Sequence, residues 1–272
     1  MSKIIGRAKL LLVAALLCQG SAAIIIRHDV APAAYEVAAG DFAAVFYLER
    51  QGSSPVCAAT LIHSRWAITA AHCADETTLA NTLENGLDFA VEVGGEMRLV
   101  DALIRHPDFD LSSNSDTDLA LIRFKQAIAS PAPMPLLQGD REQGEEVTLV
   151  GWGFFGLGTT GRQYSDGVMR RATNRVSLAG QRLHIRFDDP RDSDSGSLSL
   201  EGMPGLWDSG GPALVRDDGG FLLAGVAVGE IEGEDFSEET QGKYGAEAVY
   251  ERISSHIAWI EAVVGSPYPF DS

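Results

Sequence analysis

The chain has 272 residues, 45% of them hydrophobic, which is enough apolar material for one large all-β domain or two small ones. A formal charge of −17 disfavours nucleic acid and anionic membrane as partners, since both present negative charge. The acid is concentrated in residues 187–197 and 230–239, which read as exposed loops and match no EF-hand ligand spacing.

In chain order, residues 1–23 stand apart. Lys3, Arg7 and Lys9 precede an apolar run at 10–17, and Ser21 and Ala23 supply a small-x-small site. This is the layout of a secretory signal peptide, and its apolar run falls short of the ~20 residues a bilayer span requires. Cleavage near Ala23 leaves a secreted or periplasmic chain with no membrane attachment. Cys57 and Cys73 are then the remaining cysteines, an even pair that implies one disulfide closing a loop of about 15 residues.

Helical periodicity is nearly absent between residues 40 and 250. Short apolar or alternating segments at 42–48, 58–69, 97–106, 119–124, 146–153, 182–187, 211–215 and 221–229 are separated by Gly, Asp, Asn, Ser and Pro clusters. That pattern predicts a sandwich or barrel. Pro131, Pro133 and Pro135 mark a link between two halves, residues 24–138 and 139–272. At the C-terminus, Ser254 or Ser255 is expected to cap a helix whose apolar face is Ile257, Ile260, Val263 and Val264, ending at Gly265.

The stretch LWDSGGPALV at 206–215 sets Ser209 between an aspartate and two glycines. A serine becomes a nucleophile only when a base takes its proton, and that base works best when a carboxylate orients it. Of the histidines, His28 lies near the mature N-terminus, His63 and His184 alternate within strands, His106 opens a turn and His256 sits in the terminal helix. His72 differs, because it follows an apolar strand and directly precedes Cys73. Asp118 stands at the mouth of an apolar strand, where a carboxylate must find a partner. Asp116 is its rival but does not abut the strand.

The segments CAATLIHSRWAITAAHC, DTDLALIRF, Gly151-Trp152-Gly153 and DSGGPALV resemble, in that order, the signature segments of trypsin/chymotrypsin-like serine proteases. IRHPDF at 104–109 is similar to the segment before that family's aspartate loop, and the resemblance runs over residues 40–264. It implies an all-β fold of two antiparallel Greek-key barrels with a C-terminal helix. It also implies Ser209 as nucleophile, His72 as general base and then acid, and Asp118 as the group orienting the imidazole. The backbone N–H groups of Trp207 and Ser209 would form the oxyanion hole, and Cys57–Cys73 would be the disulfide beside the histidine. A member of this family needs no metal or organic cofactor. It acts on protein or peptide substrates, meets protein inhibitors and is expected to be a monomer. Ser195, in DSDSGS, lacks the second glycine, the proline and the following strand, and is set aside.

Three departures from the family pattern matter. Trp207 stands where the family has glycine, so either its peptide flips and the oxyanion donor is lost, or the N–H stays inward with the indole across the cleft. Met203 replaces the aspartate that selects Lys or Arg, Gly205 a cysteine, and Val228, Gly229 and Glu230 a Ser-Trp-Gly edge. Ala248 replaces a glycine. Val228 cannot donate a side-chain hydrogen bond toward Asp118. A shallow or apolar pocket with an acidic rim is expected, with Glu201 or Glu230 as the candidate acid. Finally, the usual IVGG start is missing, yet cleavage after Ala23 would expose Ile24, whose ammonium could insert beside Asp208. The rival expectations are a protease-like binding or regulatory homologue with an impaired oxyanion hole, and a hydrolase of small esters only.

Overall fold

The computed structural model describes residues 24–110, 112, 117–231 and 241–265. The signal-peptide expectation, Asp116 and most of the second acidic run lie outside them. The chain is mostly β, with two six-stranded barrel-like sheets and one short C-terminal helix.

After β1 (Ile25–Ile26), the first sheet takes β2 (Val45–Gln51), β3 (Ser54–His63) and β4 (Trp66–Thr69). Two short helices follow, α1 (Cys73–Glu76) and α2 (Leu79–Glu84), then β5 (Phe89–Val93), β6 (Glu96–Arg105) and β7 (Ala120–Phe124). The sheet order is β2-β3-β4-β7-β6-β5. β5 has the alternation of a half-buried strand, with Phe89, Val91 and Val93 inward and Ala90 and Glu92 outward. β3 is buried along nearly its whole length, which its run of Val, Cys, Ala, Thr, Leu and Ile allows.

The second half comprises β8 (Glu146–Gly151), β9 (Phe154–Leu157), β10 (Gly161–Ser165), β11 (Arg170–Ala179), β12 (Arg182–Arg186), β13 (Gly202–Met203), β14 (Pro212–Asp217), β15 (Gly220–Glu230), β16 (Glu247–Arg252) and α3 (Ile257–Val264). Strands β11-β12-β16-β15-β14-β8 close into a barrel, and β10-β9-β1-β13 form a smaller sheet. Through it the start of the described chain is tied to the second half, with Ile25 opposite Met203 in β13 and Gly156 in β9.

One apolar core fills the first sheet and another the closed barrel. Ile260 anchors α3 and is fully buried. The expected serine cap is not formed, because a 3-10 turn at Ile253–Ser255 precedes the helix and Ser254 Oγ donates to Glu142 Oε1 at 2.5 Å instead.

Candidate active site

The local fold delivers His72 from the end of β4. Thr69 Oγ1 donates to Ala58 O at 2.7 Å, locking β4 to β3, and the fully buried Ala70 and Ala71 carry the chain into α1. The Cys57–Cys73 disulfide then fastens the first residue of α1 to β3. His72, immediately before it, has little freedom left. Its backbone N–H donates to Asp118 Oδ1 at 2.9 Å and its ring Nδ1–H donates to Asp118 Oδ2 at 2.5 Å. With Nδ1 committed as a donor, Nε2 is the basic nitrogen. Burial opposes the imidazolium, but the hydrogen bond and charge of Asp118, with Glu76 and Asp75 behind them, outweigh it and raise the His72 pKa above its usual 6.5.

Ser209 sits in a turn braced by several backbone hydrogen bonds. Its carbonyl accepts Ala58 N–H at 2.7 Å, Gly210 N–H donates to Ala227 O at 2.7 Å, and Gly211 N–H donates to Asp208 O at 2.9 Å. Gly210 holds φ = 79°, and a Cβ there would lie 2.0 Å from Ala58 O. Glycine is required by the close approach to β3 as much as by the turn.

Trp207 adopts φ = 75°, the left-handed region that glycine would occupy. The Leu206 carbonyl before it accepts Phe154 N–H at 2.7 Å. In a trans peptide the N–H points opposite to the carbonyl, so the Trp207 N–H faces away from Phe154. The same relation sets the Ser209 N–H opposite the Asp208 carbonyl. Neither N–H has an acceptor among the described residues. Of the two arrangements the sequence left open at Trp207, this orientation matches the one in which the peptide is not flipped, and the indole packs against the Phe154 ring, centroids 4.8 Å apart.

His72, Asp118, Trp207 and Ser209 line one cleft of about 1010 Å³ between the two halves. Ser209 Oγ makes no hydrogen bond among the described residues. Such contacts are often long in unliganded sites and tighten when substrate is bound. Geometrically, the cleft offers a base oriented by a carboxylate, a hydroxyl on a constrained turn and two backbone donors.

Asp208 is 2% exposed, with Gly153 N–H on Oδ1 at 2.6 Å and Gly205 N–H on Oδ2 at 2.8 Å. Burial pushes its carboxyl up to about 6, against the pull of those N–H groups and of Arg170. Ile24 is fully buried against Tyr35, Phe155 and Ala172.

Of the expected pocket residues, Gly205, Val228, Gly229 and Glu230 line the cleft. Met203 and Ala248 are fully buried in the barrel core. Glu230 faces Ala248 across the β15–β16 ladder, and Gly242 N–H donates to its Oε2 at 3.1 Å. Burial pushes its carboxyl up. Glu201 is occupied elsewhere, accepting the N–H groups of Asp188 and Leu198 in the 187–201 loop. Ser195 Oγ donates to the carbonyls of Asp189 and Asp192, an ordinary turn. The cleft also contains Arg182, Glu76 and Phe109, which the motifs did not reveal.

A family model described as Trypsin matches residues 33–260. Vitamin K-dependent protein C of Rattus norvegicus is 27% identical over 276 residues, covering 88% of this chain and 55% of its own. The chain thus spans about half the length of the protein C relatives it matches. Kallikrein-9 of Homo sapiens is 29% identical over 229 residues, covering 82% of this chain and 84% of its own. In fold, the chain is similar to neuropsin, a serine protease expressed in the limbic system of mouse brain. The TM-score is 0.62 at 20% identity, covering 85% of this chain and 98% of the other.

Proposed function

Since this chain belongs to the trypsin family, we propose that it is a serine endopeptidase working through an acyl-enzyme. Ser209 Oγ attacks the scissile carbonyl while His72 Nε2 takes its proton, and Asp118 stabilises the resulting imidazolium. The Trp207 and Ser209 N–H groups hold the oxyanion, His72 returns the proton to the leaving amine, and water repeats the sequence to release the acyl group. The observation that carries this reading is the Leu206 carbonyl bonded to Phe154 N–H, which turns the Trp207 donor to the opposite side despite the bulky side chain.

Substrate selection falls to a pocket edge of Gly205, Val228 and Gly229 with the Glu230 carboxyl on its rim. Residues 24–138 and 139–272 act as the halves supplying His72–Asp118 and Ser209. Residues 1–23 direct export, and Ile24 then becomes the terminus whose ammonium meets Asp208. N-terminal sequencing of the exported protein tests this, and a start well beyond Ile26 would overturn it.

The rival is a binding homologue with an impaired oxyanion hole, which the glycine-to-tryptophan change favours on its own. An aryl sulfonyl fluoride should label Ser209, leave Ser209→Ala untouched, and abolish cleavage of a mixed peptide library. Labelling without peptide cleavage would mean an esterase or a binding protein.

A further inference from the structure

We infer that Glu251 is a positioning residue for the His72–Asp118 pair, gripping the backbone of Asp118 from the opposite half of the molecule. The inference rests on the protease reading for its consequence, though not for its geometry. Glu251 lies on β16 of the closed barrel and is 2% exposed. Its Oε1 accepts the Asp118 N–H at 3.0 Å. The same oxygen takes the Arg182 guanidinium, Nε at 2.7 Å and a terminal nitrogen at 2.6 Å, from the residue directly opposite it in the β12–β16 ladder. Its Oε2 lies 3.8 Å from His256 Nε2.

A buried carboxylate is unfavourable unless paired, and the ladder supplies the pairing within one half of the molecule. The same oxygen, Oε1, also accepts the Asp118 N–H from the other half. Asp118 is thereby held at both ends, its carboxylate by the two N–H groups of His72 and its main chain by Glu251. The nucleophile turn is tied across the same junction by Cys57 N–H on Trp207 O and Ala58 N–H on Ser209 O. Cys57 is also the disulfide partner of Cys73, beside His72. Glu251 closes this circuit on the side of the acid. His256 does not compete as a cation, because burial first, and then the neighbouring His106 and Arg182, depress it to about 4.

The test compares two double variants that share the loss of Arg182, so that neither leaves an unpaired charge. Arg182→Leu/Glu251→Leu removes the acceptor, while Arg182→Leu/Glu251→Gln keeps one. The first readout needs no activity. In a Ser209→Ala background, NMR follows the titration of the His72 ring, which faces Asp118, Glu76 and Asp75. The Leu/Leu variant should lower the midpoint by about half a unit or more, and the Leu/Gln variant should restore it. The second readout, with Ser209 intact, is kcat per sulfonyl-fluoride-titrated site. It should fall roughly ten- to hundred-fold in Leu/Leu with KM little changed, and recover in Leu/Gln. An unmoved midpoint in Leu/Leu, with only a lower melting temperature, would reduce Glu251 to a structural residue and overturn the inference. A moved midpoint in a chain that cleaves no peptide would sink the protease reading and leave the inference standing.

Discussion

Trp207 is a residue in a conformation that costs roughly 1–2 kcal/mol for anything but glycine. Its contact with Phe154 returns about 0.5–1.5 kcal/mol. Trp207→Gly should therefore melt within about 1 kcal/mol of the parent, and kcat should stay within a few-fold, because the donor already points the way glycine would point it. A rise in kcat of ~10²-fold would mean the tryptophan had turned the N–H away after all. His72 gives a second expectation. Its raised pKa means the imidazolium contributes folding stability below pH 6.5 that is lost as pH climbs through the folded value. It also sets the acid limb of kcat/KM above 6.5. In Asp118→Asn, burial is left with much less to oppose it, so the limb should move down in pH while kcat falls ~10⁴-fold. Both are read from one pH–rate profile. That His72, Asp118 and Ser209 would line one cleft was legible in the sequence, because each sits in a distinctive local context. Arg182 and Glu251 were not, because no local pattern marks either one and they meet only through a strand pairing.

At the level of elements, the strands that alternate or run apolar were visible, among them β3, β4, β7, β8 and β15. β11 was not, because two of its inward positions are Arg170 and Asn174, buried polar groups that break the hydrophobic pattern. Arg170 is ion-paired there with Asp166, and Asn174 donates to the Gly202 carbonyl. The short α1 and α2 were equally hidden, since four and six residues hold too little periodicity to register. What the Ser209 turn needs from its surroundings can be tested at Gly210. A methyl there would sit 2.0 Å from Ala58 O and 2.4 Å from Thr69 Oγ1, both on the β3–β4 pair that also positions His72. Gly210→Ala should destabilise by more than about 1 kcal/mol and slow sulfonyl fluoride labelling of Ser209, because the turn must lift away from β3. A variant with unchanged melting temperature and labelling rate would mean the turn is far more compliant than this contact allows.

On the scale of the whole molecule, the succession of short apolar segments and turn clusters indicated the two barrel-like β sheets. The pairing of β1 with β9 and β13 is a contact between distant parts of the chain that no local pattern encodes. That pairing bears on the proposed meeting of Ile24 with Asp208. An unfolded aspartate releases its proton near 3.8, whereas the folded Asp208 keeps its own to about 6. Between those values the folded state binds more protons, so stability falls as pH rises through the window, by on the order of 3 kcal/mol for a fully buried group. A chain extended in front of Ile24 carries that burden at neutral pH. A chain beginning at Ile24 brings an ammonium that favours the charged carboxylate, draws its pKa down and removes the loss. Melting temperatures of the two forms should therefore lie close together near pH 4 and separate progressively up to pH 7, with the form starting at Ile24 the more stable. Curves that fall in parallel across this range would show that no ammonium reaches Asp208. The Asp208 carboxylate would then be held by backbone N–H groups such as those of Gly153 and Gly205, with no ammonium beside them.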